Sequence, residues 1–230
     1  LRNIELVEFY TDNDSQVMDL TAFGGAAALS GPELDLIIEL YVAYFNRAPD
    51  AIGLNYWGTA FANGVTLTAM SEYFFDQNET RATFGGDMTN TDFARVVYDN
   101  VLGRQPDQDG LAFWVRALDT NEVSKDQFIL DVLAGAKADP GPDATQAFVE
   151  QQLADQAYLE AKTDLGALFA VHRGLSNGAD AIAVFDGSQA SLSEALNAID
   201  QLYAAALDPD TGAFLMPMVG VLDNPFDPIA

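Results

Sequence analysis

Cysteine is absent from the 230 residues. That removes disulfides, thiolate metal sites and cysteine nucleophiles from consideration. Positive charge is scarce, with 10 lysines and arginines against 35 acids and a net charge of −25. A field of that sign repels phosphate backbones and anionic membrane surfaces, so no nucleic-acid partner is expected. Histidine occurs once, at His172 beside Arg173. No catalytic triad, two-histidine zinc site or H-E-x-x-H can be built from it, and its place near a helix end suits a capping or surface residue. No phosphate-loop pattern occurs, and Gly24-Gly25 is not one. Long apolar runs are also missing. Residues 36–45 are apolar but carry Glu39 and fall well short of the roughly 20 residues a membrane span needs, so no membrane insertion is expected. With acids this numerous, any carboxylate pair is uninformative about glycoside hydrolysis. The expectation is a chain that is not an enzyme.

What is present is a repeat. Residues 36–57 read LIIELYVAYFNRAPDAIGLNYW and residues 93–114 read FARVVYDNVLGRQPDQDGLAFW. At an offset of 57, Tyr41, Arg47, Pro49, Asp50, Gly53, Leu54 and Trp57 match Tyr98, Arg104, Pro106, Asp107, Gly110, Leu111 and Trp114. The register then slips by one, so that Val65-Thr66 matches Val123-Ser124, and Met70 and Phe74 match Phe128 and Val132.

Physical chemistry gives each copy the form helix, turn, helix, turn, helix. Leu36, Leu40, Tyr41 and Tyr44 recur at helical spacing. Pro49 disfavours helix at the residue before it, which ends the first helix near Arg47. Asp50 is placed to cap a second helix from Ala51, a contact worth about 1 kcal/mol. Gly53 falls inside that helix, where glycine costs stability unless a close approach of another helix or ring requires it. Thr66 and Ser124 would cap the third helices, Ser124 with Gln127 as a capping box. The arginines are expected to clamp Asp50 and Asp107 or helix-end carbonyls, with an anion or glycan contact as the alternative. Trp57 and Trp114 read as core, with stacking on a sugar as the alternative. The ten residues Arg47, Pro49, Asp50, Gly53, Trp57, Arg104, Pro106, Asp107, Gly110 and Trp114 thus form a structural turn motif.

The fold class expected is mainly α: a tandem helical repeat, two copies of about three helices, followed by C-terminal helices and an extended tail. The parts are an N-terminal segment, 1–35; the duplicated region, 36–138, as 36–79 and 93–138; a C-terminal helical region, 143–207; and an arm, 208–230. Residues 4–10 suit a short strand or a helix, and 80–90 link the copies. Residues 144–171 read as one or two helices with an apolar stripe of Phe148, Leu153, Tyr158, Leu165, Leu168 and Phe169. Ser191 with Glu194 reads as a capping box opening a last helix through Leu207. Calcium is the one cofactor to consider, because it takes six to eight carboxylate and carbonyl oxygens. Candidate ligands are Asp107 with Asp109, Asp208 with Asp210, and Asp12, Asn13 and Asp14, although turn and cap duty accounts for each.

The R-x-P-D-x-x-G-L-x-[YF]-W copies resemble a bacterial domain-of-unknown-function family found in RTX-type secreted, surface-layer and adhesin proteins and distantly similar to phycobilisome linker domains. The resemblance covers residues 34–137 and extends loosely through 158–163. It implies a helical fold, export and a surface location. The calcium-binding nonapeptides of RTX proteins are absent. An acidic, cysteine-free chain with the tail Phe226-Asp227-Pro228-Ile229-Ala230 fits type I secretion. The function expected is an extracellular or cell-surface structural or binding module, surface-layer or adhesin-like, which self-associates or binds a surface glycan such as lipopolysaccharide. A subunit of a phage-like particle, appendage or filament is the alternative, and a polysaccharide hydrolase a third.

Overall fold

The computed structural model describes residues 6–11, 14–19, 24–85, 88–213, 215–216 and 226. The fold is mainly α. The apolar–acidic alternation near the N-terminus resolves as a strand: β1 (Leu6–Thr11) pairs antiparallel with β2 (Asp14–Asp19), Leu6 opposite Asp19 and Thr11 opposite Asp14. A 3-10 turn at Gly25–Ala28 precedes the helices.

The central element is α1 (Gly31–Phe45). Pro32 sits in its first turn, and the Glu33 carboxylate accepts from the Ser30 amide at 2.8 Å and the Ser30 hydroxyl at 2.6 Å. Leu34, Ile37, Ile38, Leu40, Val42, Ala43 and Tyr44 are all fully buried. Each large side chain of this kind contributes roughly 2 kcal/mol on leaving water. A cap contributes about half that, so packing around α1 holds the bundle while the caps set where each helix begins.

Around α1 lie α2 (Ala51–Ala62), α3 (Leu67–Phe75), α4 (Asn78–Phe84), α5 (Asn90–Leu102), α7 (Lys125–Lys137) and α8 (Gln146–Ala167), while α6 (Gln108–Asp119) packs on α5. A π turn at Leu168–His172, which carries the lone histidine, continues α8. A 3-10 turn at Ala179–Ile182 and α9 (Gln189–Ala206) follow. The Tyr44 hydroxyl meets Ser71 at 2.8 Å, and the Ser71 hydroxyl donates to the Asp126 carbonyl at 3.1 Å, which ties α1, α3 and α7 at one point.

Four expectations need correction. The 80–90 link is partly helix, because Thr80 and Phe84 bury on α1 as the inner face of α4. Ser124 occupies the cap position of α7 without a side-chain bond, and Gln127 donates instead to Asp131 at 2.7 Å. The cap of α9 is Ser188, which accepts from the Ser191 amide at 3.1 Å, so Ser191 lies inside the helix, which ends at Ala206. The stripe on α8 fails in its first half, where Phe148 and Leu153 are more than half exposed. The extended arm falls mostly outside the described residues, as do Asp12 and Asn13.

Candidate functional site: two corners and a cleft

At the first corner the chain leaves α1 through Asn46, which adopts the left-handed conformation with φ of 52°, and Gly103 does the same after α5 at 62°. These positions are again 57 apart. Asp50 accepts from the Gly53 amide at 2.7 Å, and Asp107 from the Gly110 amide at 2.8 Å. Both aspartates therefore cap as expected.

The arginines do not clamp them. Arg47 grips Glu79 of α4 with Nε and Nη2 at 2.7 and 2.9 Å, and its Nη1 donates to the Ala48 carbonyl. Arg104 grips Asp155 of α8 with Nε and Nη2 at 2.7 and 2.6 Å, and its Nη1 donates to the Gln105 carbonyl. The reason is geometric. Each cap aspartate is turned toward the amides of its own helix, so the guanidinium fork pairs with a carboxylate from a later helix. The Arg47 guanidinium also lies 5.1 Å from the centroids of Tyr41 and Phe45, and that of Arg104 lies 5.8 Å from Tyr98.

The corners differ in burial. Ala48, Pro49 and Ala51 are buried. The amides of Ala48 and Ala51 donate to the carbonyls of Ala179 and Leu175, at 2.9 and 2.8 Å. Around the second corner Gln105 and Asp107 are exposed and Pro106 is half-buried. A Cβ on Gly53 would stand 2.6 Å from the Tyr41 hydroxyl, the helix–ring approach that justifies glycine there, whereas one on Gly110 would meet nothing nearer than 3.4 Å. In the second copy the Tyr98 hydroxyl instead accepts from Trp114 Nε1 at 3.0 Å.

Both tryptophans are half-buried. Trp57 packs on Phe74 at 5.0 Å between centroids, and Trp114 on Phe128 at 5.0 Å. Beside the first corner opens a cleft of about 700 Å³. Its lining includes the charged Arg47, Asp50 and Glu79 and the aromatic Tyr56, Trp57 and Tyr73. Tyr56 is 66% and Tyr73 55% exposed.

Sequence reasoning missed the inner face of α8. Gln152, Asp155, Leu159 and Lys162 are buried, and three of the four are polar. Gln152 Nε2 donates to the carbonyls of Gly135, Ala136 and Ala138 at 2.7, 3.1 and 3.0 Å, closing the end of α7. Asp155 holds Arg104. The Lys162 ammonium meets Asn46 Oδ1, the Asn100 carbonyl at 3.4 Å and the Tyr158 hydroxyl at 3.1 Å, which ties the ends of α1 and α5. Burial pushes its pKa down to about 8. The spacing 152, 155, 159, 162 is a helical face, but its polar character hid it.

Of the calcium candidates, Asp107 caps α6, and Asp208 accepts from the amides of Asp210 and Thr211 at 2.9 and 2.8 Å, which is turn duty. Asp109 lies in the first turn of α6. Among the described residues no group of three or more histidines or acids is placed to hold a metal ion. No helix among them is long and apolar enough to cross a membrane.

The fold and these corners define a helical bundle whose charged turn residues are engaged internally. A sequence-family model described as "Domain of unknown function (DUF4214)" matches residues 70–136, so the chain carries such a domain there. The match runs from within α3 to the end of α7 and takes in the second corner only. No curated protein and no solved structure matches the chain.

Proposed function

We propose that the chain is a non-catalytic binding and assembly module of a bacterial cell surface, of the kind carried by secreted, surface-layer and adhesin proteins. One observation carries the reading: Arg47, Asp50, Arg104 and Asp107 all find partners inside the molecule. These four charges are thereby committed to caps and ion pairs within the fold. Among exposed acids the surface also presents large apolar side chains, among them Ile52, Tyr56, Tyr73, Phe113, Phe148 and Leu153. Exposed apolar groups rimmed by charge are characteristic of contact surfaces. The acidity of the chain supports export into salty surroundings, where the Debye length is only a few Å.

The test is labelling of intact producing cells with an antibody raised against the folded chain, beside labelling of lysed cells. The reading predicts equal signal from both. Signal only after lysis contradicts it.

A further inference from the structure

We propose that the cleft beside the first corner binds a neutral saccharide chain, one pyranose ring lying on the platform of Trp57 and Tyr73 with Tyr56 at its edge. The proposal deepens the binding-module reading and is tested apart from it.

The arrangement of the rings selects the ligand. Trp57 and Tyr73 have centroids 6.0 Å apart and planes inclined by only 31°, and Tyr56 meets Trp57 edge-on at 5.2 Å. The three rings adjoin one another along the lining of the cleft. Tyr56 and Tyr73 are 66% and 55% exposed, so ring surface is open to a ligand. A pyranose has a matching face of C–H groups, and its rim of hydroxyls must find polar partners once buried.

The same cleft supplies those partners. Glu79 keeps 48% of its side chain exposed while bridged to Arg47, so its carboxylate retains lone pairs toward the cleft. Gln77 and Asn78 also line it. Charge excludes an acidic sugar: Arg47 is already neutralised by Glu79, Asp50 adds a further negative charge, and the chain carries −25. A site lined by both aromatic rings and hydrogen-bond acceptors suits an uncharged hydroxylated ligand.

The second copy is an internal control. It retains an exposed aromatic, Phe113, against Trp114 at 5.1 Å. With the one-residue slip, however, Asp131 stands where the first copy has Tyr73, so no second ring extends the platform.

The experiment uses the whole chain with Trp114→Phe, so that emission reports Trp57 alone. The probes are neutral hexasaccharides of glucose, mannose, galactose and N-acetylglucosamine, with tetramethylammonium as comparison. At least one sugar is expected to shift the emission at millimolar concentration. Tyr73→Ala and Tyr73→Asp, the latter copying the second repeat, are each expected to weaken that sugar by about ten-fold or more. Phe113→Ala is expected to stay within about two-fold, and all should leave the melting temperature unchanged because these side chains are exposed. The proposal is overturned if no neutral sugar shifts Trp57, if Phe113→Ala costs as much as Tyr73→Ala, or if tetramethylammonium binds more tightly than every sugar. None of these outcomes bears on whether intact cells display the chain.

Discussion

Gly53 and Gly110 occupy the same step of the motif yet do different work. At Gly53 an added methyl would press on the Tyr41 hydroxyl at 2.6 Å and on Asp50 Oδ2 at 2.9 Å, disturbing both the ring contact and the cap. At Gly110 the nearest atoms stand at ordinary contact distance, 3.4 Å and beyond. Glycine inside a helix costs up to about 1 kcal/mol relative to alanine. Gly53→Ala should therefore destabilise by about 1–2 kcal/mol, while Gly110→Ala should be neutral or stabilising by up to about 1 kcal/mol. Urea denaturation of the two variants checks this, and equal losses at both sites would contradict it. Lys162 is the other decisive residue. Removing its ammonium leaves Asn46 Oδ1 and the Asn100 carbonyl buried without their donor, so Lys162→Met should cost about 1–3 kcal/mol near neutral pH. The sign with pH follows from the depressed pKa. The fold disfavours the charged amine, so the native chain gains stability from this residue as pH rises from about 8 toward the usual lysine range. The methionine variant lacks that slope, and a difference curve that is flat from pH 7 to 10 would refute the assignment.

Several element boundaries were legible from local signals. The Pro49 and Pro106 stops, the Asp50 and Asp107 caps and the Thr66 cap all depend on residues within a few positions of each other, and all stand where the sequence places them. The Ser124–Gln127 and Ser191–Glu194 boxes had the same local pattern and failed, because Gln127 has Asp131 one turn on and Ser188 starts α9 a turn earlier. The orientation of α8 was not legible. Its burial is decided by helix ends distant in sequence that need donors and acceptors, so polar residues face inward while Phe148 and Leu153 face out. The partners Glu79 and Asp155 were hidden for the same reason: nothing local marks which acid, of 35, an arginine will choose. Where α8 meets α1 and α7, the acids Asp35, Glu39, Asp139, Glu160 and Asp164 line one cleft with the cation Lys137. Burial, then Glu160 and Asp35, push the Asp164 pKa up to about 6. A raised carboxylate pKa means the fold holds the proton more tightly than the unfolded chain does. Stability from this residue therefore increases as pH falls through about 6 toward 4. Asp164→Asn should remove that dependence and stabilise the chain at neutral pH by on the order of 1 kcal/mol, allowing for the partial solvent screening of the side chain. Thermal melts from pH 4.5 to 7.5 decide it, and a variant that keeps the native slope would contradict the argument.

At the scale of the whole molecule, the charge and the core are separable. The core is built around α1 from buried side chains of the repeat together with residues beyond it such as Leu159, Leu165 and Phe169. The −25 charge is carried mostly on the outside, where it sets partners and solubility and not the fold. The two corners share a design but are closed by different neighbours. The first is covered by the segment after the π turn and braced by an exposed acid, Glu79. The second is braced by Asp155, whose side chain is only 5% exposed. Each corner borders a cleft, but the first is lined by Tyr56, Trp57 and Tyr73, whereas the second, of about 510 Å³, is lined by Asp155 and Tyr158 of α8 and by residues 185–189. The central claim is that the corners are scaffolding, with their charges spent on holding helices together. A double-mutant cycle on Arg104→Ala and Asp155→Ala, read by chemical denaturation, tests it most directly. Each single variant strands a partly or fully buried charge, so the account predicts losses of about 3 kcal/mol for Arg104→Ala and a coupling between the two sites of about 2 kcal/mol. Additive effects with no coupling would mean the pair carries no structural load, and the corner arginines would then have to be re-examined as groups held ready for a ligand.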